Sequence, residues 1–356
     1  MASTQRETRR FRRRESRAEV TIHDVAARAG VSVATVSRVL NGKELVREET
    51  SRQVLEAAKD LRYVPNVAAR SLSIRRSHTL GVVLPDVHGE FFSELIRGID
   101  LAARRAGYHI LVSGSHSNPA EMLEVLETMR GRVDGLVVMA PDVSPAALRE
   151  PLAADLPLVV LSARDEQHDA ITIDNYGGAR MMMDHLIGLG HTRIAFICGP
   201  GQNSDARERV RGYRQTMRSV GPRLEVQGDF TERGGFDAVQ RILTAVPRPT
   251  AIFAANDAMA VGVLGALAEA GVDCPREMAV VGFDDIPIAR YIAPALTTVR
   301  VDIAEIGRRA FAILFERLGV SGREHPRRTE CVTTTLVVRK SCGAGARRPK
   351  TSKGDK

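Results

Sequence analysis

The chain has 356 residues, 44% of them hydrophobic but only 4% aromatic and none tryptophan, a length that exceeds one ordinary domain and suits a small domain beside a larger one with an aliphatic core. Its net charge of +8 sits at the ends: residues 1–78 carry 17 Lys and Arg against 9 Asp and Glu, residues 339–356 carry 7 against 1, and the stretch between is net acidic, with 27 against 33. No apolar run reaches the ~18 residues of a transmembrane helix, the Arg-rich start lacks the apolar stretch of a secretory signal, and Cys198, Cys274, Cys331 and Cys342 form no CxxC pair or Cys/His cluster, so a cytoplasmic protein with reduced thiols, no metal and no cofactor is expected.

Residues 1–19 read as a disordered basic arm. Residues 20–65 carry three helical patterns in quick succession. Thr21 caps the first, which places Ile22, Val25, Ala26 and Ala29 on one face, and Gly30-Val31 ends it. Ser32 caps the second, which turns Val36, Val39 and Leu40 inward and stops at Asn41-Gly42. The third runs from about Glu48 to Leu61 with Val54, Ala58 and Leu61 inward, and Tyr63 and Pro65 close it. Residues 66–78 form a joint, in which Asn66 caps one or two turns through Ser71 before Leu72 and the basic pair Arg75-Arg76. From Thr79 short apolar runs (79–85, 109–114, 134–140, 156–162, 193–199, 250–256 and 278–284) alternate with helical stretches such as Phe91–Ala106, Pro119–Gly131, Tyr176–Leu189 and Asp257–Ala270. Apolar strands alternating with helices imply parallel sheets covered on both faces, and the number of strands implies two sheets, hence two lobes. Residues 343–356 read as a disordered basic tail.

Two short helices joined by a tight glycine turn, with a third across them, describe a helix-turn-helix. The second helix then exposes Val33, Ala34, Ser37 and Arg38. Small residues at its start let it enter a major groove, where the Arg38 fork matches guanine O6 and N7, and Val33 and Ala34 suit thymine methyls. Ser32, Thr35 and Ser37 can donate to phosphate beside the helix N-terminus. A three-helix bundle with protein partners is the competing reading. Leu72 is either an apolar wedge between base steps of the minor groove or a cap on the neighbouring domain.

The stretches TIHDVAARAGVSVATVSRVLNG, YVPNVAARSL and HTLGVVLPD, followed by GYRQTM, AANDAMAVG, VVGFDDI and PALTTV, resemble the lac/gal repressor (LacI/GalR) family over about residues 20–342. The resemblance implies an all-α helix-turn-helix head with a hinge helix, then a two-lobed, periplasmic-binding-protein-like α/β sensor and dimerisation domain over 79–342. Its lobe 1 would hold about 79–175 and 302–329, and its lobe 2 about 176–301 and 330–342. It implies a homodimer on near-palindromic double-stranded operator DNA, with Val33, Ala34 and Arg38 reading bases and Leu72 as the minor-groove wedge. The full expected DNA-facing set is Thr21, Ser32, Val33, Ala34, Thr35, Ser37, Arg38, Asn41, Asn66, Ala69 and Leu72.

No catalytic set stands out in the larger domain, and an enzymatic role is not expected. Ligands in parallel-sheet domains sit beyond the carboxyl ends of strands, where Asp86, Ser162, Asn256 and Asp284 lie. Phe91 and Phe92 open a helix in a chain poor in aromatics, and Arg209 follows another strand. Carboxylate, amide and guanidinium groups with an aromatic plate suit a hydroxyl-rich ring. The resemblance implies effector contacts at Phe92, Arg209, Asn256 and Asp284, with Phe91, Asp205 and Phe230 as further positions; Ser162 completes the expected set. The expected function is a ligand-responsive repressor of carbohydrate-related genes. A purine or nucleoside effector is the nearest alternative, and an architectural DNA-binding protein without an effector is the alternative from another class.

Overall fold

The computed structural model describes residues 20–40, 46–63, 76–143, 156–163, 168–319 and 326–344. It divides into two units, a head ending at Ser77 and a body beginning at His78.

The head holds α1 (Ile22–Ala29), α2 (Val33–Leu40) and α3 (Glu48–Asp60). At the start of α1 the Asp24 carboxylate accepts hydrogen bonds from the Thr21 amide and hydroxyl, both at 2.8 Å, which satisfies donors that a helix end leaves free. Gly30 ends the helix at φ 67, a left-handed conformation that suits glycine. Ser32 caps α2 by accepting from the Thr35 amide at 3.1 Å. The buried core is small: Val25, Ala26, Val36, Val54, Ala57 and Ala58, with Val33, Val39, Leu40 and Leu61 packed on it. Val33 corrects an expectation. It is half-buried against this core and does not stand on the exposed face with Ala34 and Arg38, because helix periodicity places it one turn before Val36 and Ser37.

The body holds β1 (Thr79–Leu84), α4 (Glu90–Arg105), β2 (His109–Gly114), α5 (Pro119–Met129), β3 (Gly135–Met139), β4 (Leu158–Leu161) and β5 (Asp169–Ile173). Next come α6 (Asn175–Gly188), β6 (Ile194–Cys198), α7 (Ser204–Met217), β7 (Leu224–Gln227), α8 (Glu232–Leu243), β8 (Ala251–Ala254), α9 (Asp257–Glu269) and β9 (Ala279–Asp284). After a 3-10 turn at Pro287–Arg290 come β10 (Thr297–Arg300), α10 (Ile303–Leu318), β11 (Thr329–Val332) and β12 (Thr335–Val337).

These strands make two six-stranded sheets, ordered β11-β5-β4-β3-β1-β2 and β12-β10-β9-β8-β6-β7. Among the described residues every strand pairing is parallel except β10 with β12. Strands β3, β4, β8 and β9 are buried along their whole length, as parallel strands sandwiched by helices must be; each such Val, Leu or Ile contributes about 1.5–3 kcal/mol. In lobe 1, α4 and α10 meet backbone to backbone. A Cβ on Gly98 would fall 2.0 Å from the Ala304 carbonyl oxygen, so only glycine permits that approach.

The chain crosses between the lobes three times: after β5, between β10 and α10, and between β11 and β12. The last crossing lies later than expected. β11 pairs with β5 from Thr329 to Val332, so lobe 1 runs to Val332, not to 329. The exposed, alternating side chains of β11 carry no apolar run that would mark it as a strand of that sheet. No helix among the described residues is long and apolar enough to cross a membrane.

Candidate functional site

In the head, Ala34 and Arg38 are exposed on one face of α2, where a helix laid into a major groove would offer them to base edges. Ser32 and Thr35 share a hydroxyl–hydroxyl bond at 2.9 Å beside the N-terminus of α2. The Thr21 hydroxyl is already donated to Asp24, so its first task is to start α1. Ser37 lies between Val36 and Arg38 and is half-buried. Asn41, Asn66, Ala69 and Leu72 lie outside the described residues.

In the body, five of the expected residues, Asp205, Arg209, Phe230, Asn256 and Asp284, are brought together near strand ends. Arg209, on α7, is the centre. Its Nε donates to Asn175 Oδ1 at 2.8 Å, and its Nη1 donates to the Ala255 carbonyl at 2.6 Å. Its Nη2 lies 3.0 Å from Asp284 Oδ1. The guanidinium stacks on Phe283 at 3.8 Å from the ring centroid and reaches Phe230 at 5.9 Å. A planar fork with donors in fixed directions makes such a node possible; an ammonium would not. Asn175 also donates to Asp205 Oδ1 at 2.8 Å, and Ser162 lies buried just past β4.

Arg209 and Asp284 are 3% and 4% exposed. The contact between Nη2 and Oδ1 is an ion pair, not an aligned hydrogen bond, and Asp284 Oδ1 has no hydrogen-bond partner among the described residues. A buried carboxylate oxygen without a donor is costly. Burial pushes the Asp284 carboxyl up to about 6, against the pull of Arg209. Burial likewise raises Asp205, again offset by Arg209. Asp284 Oδ1 is thus paired with Arg209 by charge and remains open to an aligned donor.

Asn256 caps α9 by accepting from the Met259 amide at 3.0 Å, and its Nδ2 donates to the Phe230 carbonyl at 3.0 Å. Its side chain thus serves as a cap and also holds the loop that presents Phe230. Phe230 itself sits at φ 70, a strained backbone held by that bond. Phe91 and Phe92 stand on α4 of lobe 1 and meet edge to face with centroids 5.5 Å apart. They are half-buried on the core, and among the described residues no ring or hydrogen-bond contact joins them to Arg209.

Sequence reasoning missed Asn175, Phe283 and Ser204. Phe283 hid inside an apolar run, and Asn175 follows a strand that was not expected. Ser204 bridges the lobes: its amide donates to the Pro141 carbonyl at 2.9 Å and its hydroxyl to the Ser162 carbonyl at 2.8 Å. Nearby, burial raises the Asp142 carboxyl.

Comparison with known proteins places this geometry. Residues 21–66 match the model of bacterial regulatory proteins of the lacI family, and residues 183–342 match a periplasmic binding protein-like domain. The ribose operon repressor of Escherichia coli (strain K12) is 38% identical over 306 residues, spanning 84% of this chain and 93% of that one. The HTH-type transcriptional repressor PurR of Haemophilus influenzae (strain PittEE) is 34% identical over 331 residues, spanning 90% and 98%. Among solved structures, the lac repressor dimer bound to operator and the anti-inducer ONPF aligns with a TM-score of 0.81 at 29% identity, covering 91% of this chain and 99% of that one. A LacI family regulator from Enterococcus faecium with bound ribose aligns at 0.67 and 27% identity, covering 74% and 98%. The chain belongs to the LacI family of bacterial regulatory proteins and is a DNA-binding transcriptional regulator.

Proposed function

We propose that this chain is a cytoplasmic repressor that binds a near-palindromic operator as a homodimer and is switched by a sugar of pentose size held between its lobes. The observation that carries the sugar reading is Asp284: a buried carboxylate beside Arg209, with one oxygen still wanting a donor. Sugar hydroxyls both donate and accept, so one ring can answer the carboxylate and the guanidinium together. Phe230, half-buried beside the guanidinium, offers an apolar ring, which suits the C–H face of a sugar. The kinship with a ribose operon repressor and with ribose-bound regulators supports a pentose.

The kinship with the repressor PurR favours a second reading, the purine effector, in which a flat base lies against Phe91 or Phe92. Calorimetric titration of the full chain with D-ribose, cellobiose, guanine and hypoxanthine separates the two. Ribose binding that is lost in Asp284→Asn is the expected result; binding of a purine alone would replace the sugar reading. An operator obtained by binding-site selection and insensitive to all four would favour the architectural role.

A further inference from the structure

The turn after β9 does more than present Asp284. Two consecutive non-glycine residues there have positive φ, 112 at Asp284 and 56 at Asp285. A non-glycine residue seldom adopts such a backbone, and it persists only where its surroundings over-determine it. Three anchors do so. The Asp284 carbonyl accepts from the Val301 amide at 3.2 Å. The Ile286 amide donates to Asp257 Oδ2 at 3.0 Å, while Asp257 Oδ1 accepts from the Thr298 hydroxyl at 2.6 Å. The Asp285 carboxylate, 2% exposed, takes Arg300 Nε at 2.6 Å and Arg339 Nη2 at 2.5 Å.

Those partners are not scattered. Arg300 and Val301 are where the chain leaves β10 to cross into lobe 1, and Arg339 follows β12, just beyond the last crossing. Two residues past the turn, the Ile288 amide donates across the lobes to Glu90 Oε2 of α4 at 2.8 Å. Within five residues, therefore, the chain touches the ligand site, a crossing strand and the opposite lobe. Beside this node lies a cavity of about 460 Å³ between α4 and the crossing, lined by Arg97, Asp285, Arg300 and Asp302 among others. Arg300 is half exposed toward it, so packing does not fix the guanidinium; Asp285 does.

We propose that Asp285 is a positioning residue that ties occupancy of the site at Asp284 to the angle between the lobes, by holding Arg300 at the crossing. A ligand that pulls on Asp284 rotates a turn whose next side chain grips the crossing strand, and the cavity gives that strand room to move. Asp285 does not touch the ligand. This rests on the sugar reading only in naming Asp284 as a ligand contact.

The test uses the full chain, D-ribose and selected operator DNA, with Asp285→Asn and Arg300→Gln as variants. Wild-type operator affinity should change by about 5–150-fold with ribose. In both variants ribose should still bind while that ratio falls below about twofold. An unchanged ratio overturns the inference, and so does joint loss of ribose binding and coupling, which would make Asp285 a support of the pocket. A second readout needs no ligand: spin labels at the exposed positions Glu124 on α5 and Arg241 on α8 report the distance between lobes. If wild type binds no ribose, the sugar reading fails and this distance decides. A broadened distribution in both variants supports the role of Asp285, and an unchanged one removes it.

Discussion

In the head, Arg38 and Ala34 stand in water on α2, above a described core of only Val25, Ala26, Val36, Val54, Ala57 and Ala58. In the body, Arg209 and Asp284 are almost wholly buried, and the core beneath them is continuous through both sheets. On the proposed assignment of these residues to operator and ligand, the two regions solve recognition differently. A long polyanion is met by groups that stay solvated until it arrives, at little cost to folding. A small ligand must be enclosed, so its contacts are buried in advance and oriented by their own hydrogen bonds, at a cost borne by the rest of the fold.

That contrast breaks most visibly at Arg209. Arg209→Ala leaves Asp284, Asn175 and Asp205 without their shared partner, so the body should lose about 3–5 kcal/mol. Thermal melting should show its transition falling while the head still binds DNA in the cold. Equal loss of DNA binding at low temperature would deny that the two regions are independent.

The next largest effect separates them by pH. The folded Asp284 carboxyl holds its proton to about 6, whereas its unfolded value is 3.8. Its protonated form therefore favours folding, fully so below 3.8, and this contribution, of the order of 3 kcal/mol at most, is lost as pH rises through 6. In the head the sign is opposite. The Thr21 amide bond holds Asp24 below its ordinary value, so its contribution is present at neutral pH and lost in acid. Melting of the ligand-free body across pH 4–8 should fall toward high pH, and Asp284→Asn should flatten the curve. A curve of the same slope in that variant would assign the effect elsewhere.

Val36→Ala, which empties part of so small a core, should lower the head's melting by about 1.5–3 kcal/mol and leave calorimetric ribose binding untouched. Arg38→Ala should be the mildest for folding. It should move neither transition, yet lose about 1–3 kcal/mol of discrimination at one base pair of each half-site in a binding-site selection. Unaltered specificity would remove Arg38 from the groove.

Much of this was legible because hydrophobic spacing and strand ends carry strong signals. All seven apolar runs are strands, and Arg209, Asp284 and Asn256 lie where polar residues next to strand ends or loops suggested. The unforeseen strands have other causes. β10 begins with Thr297 and Thr298, wholly buried, because Thr298 serves Asp257 and Thr297 hydrogen-bonds both Ser341 and Arg339. β5 begins with Asp169, a buried carboxylate that Arg317 grips at 2.6 and 2.8 Å. Such strands are polar in sequence and dry in the fold only because distant partners answer them. Asn175 was missed for the same reason, since its partners come from α7, thirty-odd residues later.

The repeated crossing of the chain has a bearing on synthesis. Ala170 on β5 waits for Thr329 on β11 to complete the first sheet, and Thr298 on β10 waits for Val337 on β12 to complete the second. Neither lobe can be finished by a growing chain until almost all of it has left the ribosome, whereas the contacts of the head are local and available early. Each newly made molecule thus passes through an interval in which its DNA reader is able to fold and the part that governs it is not.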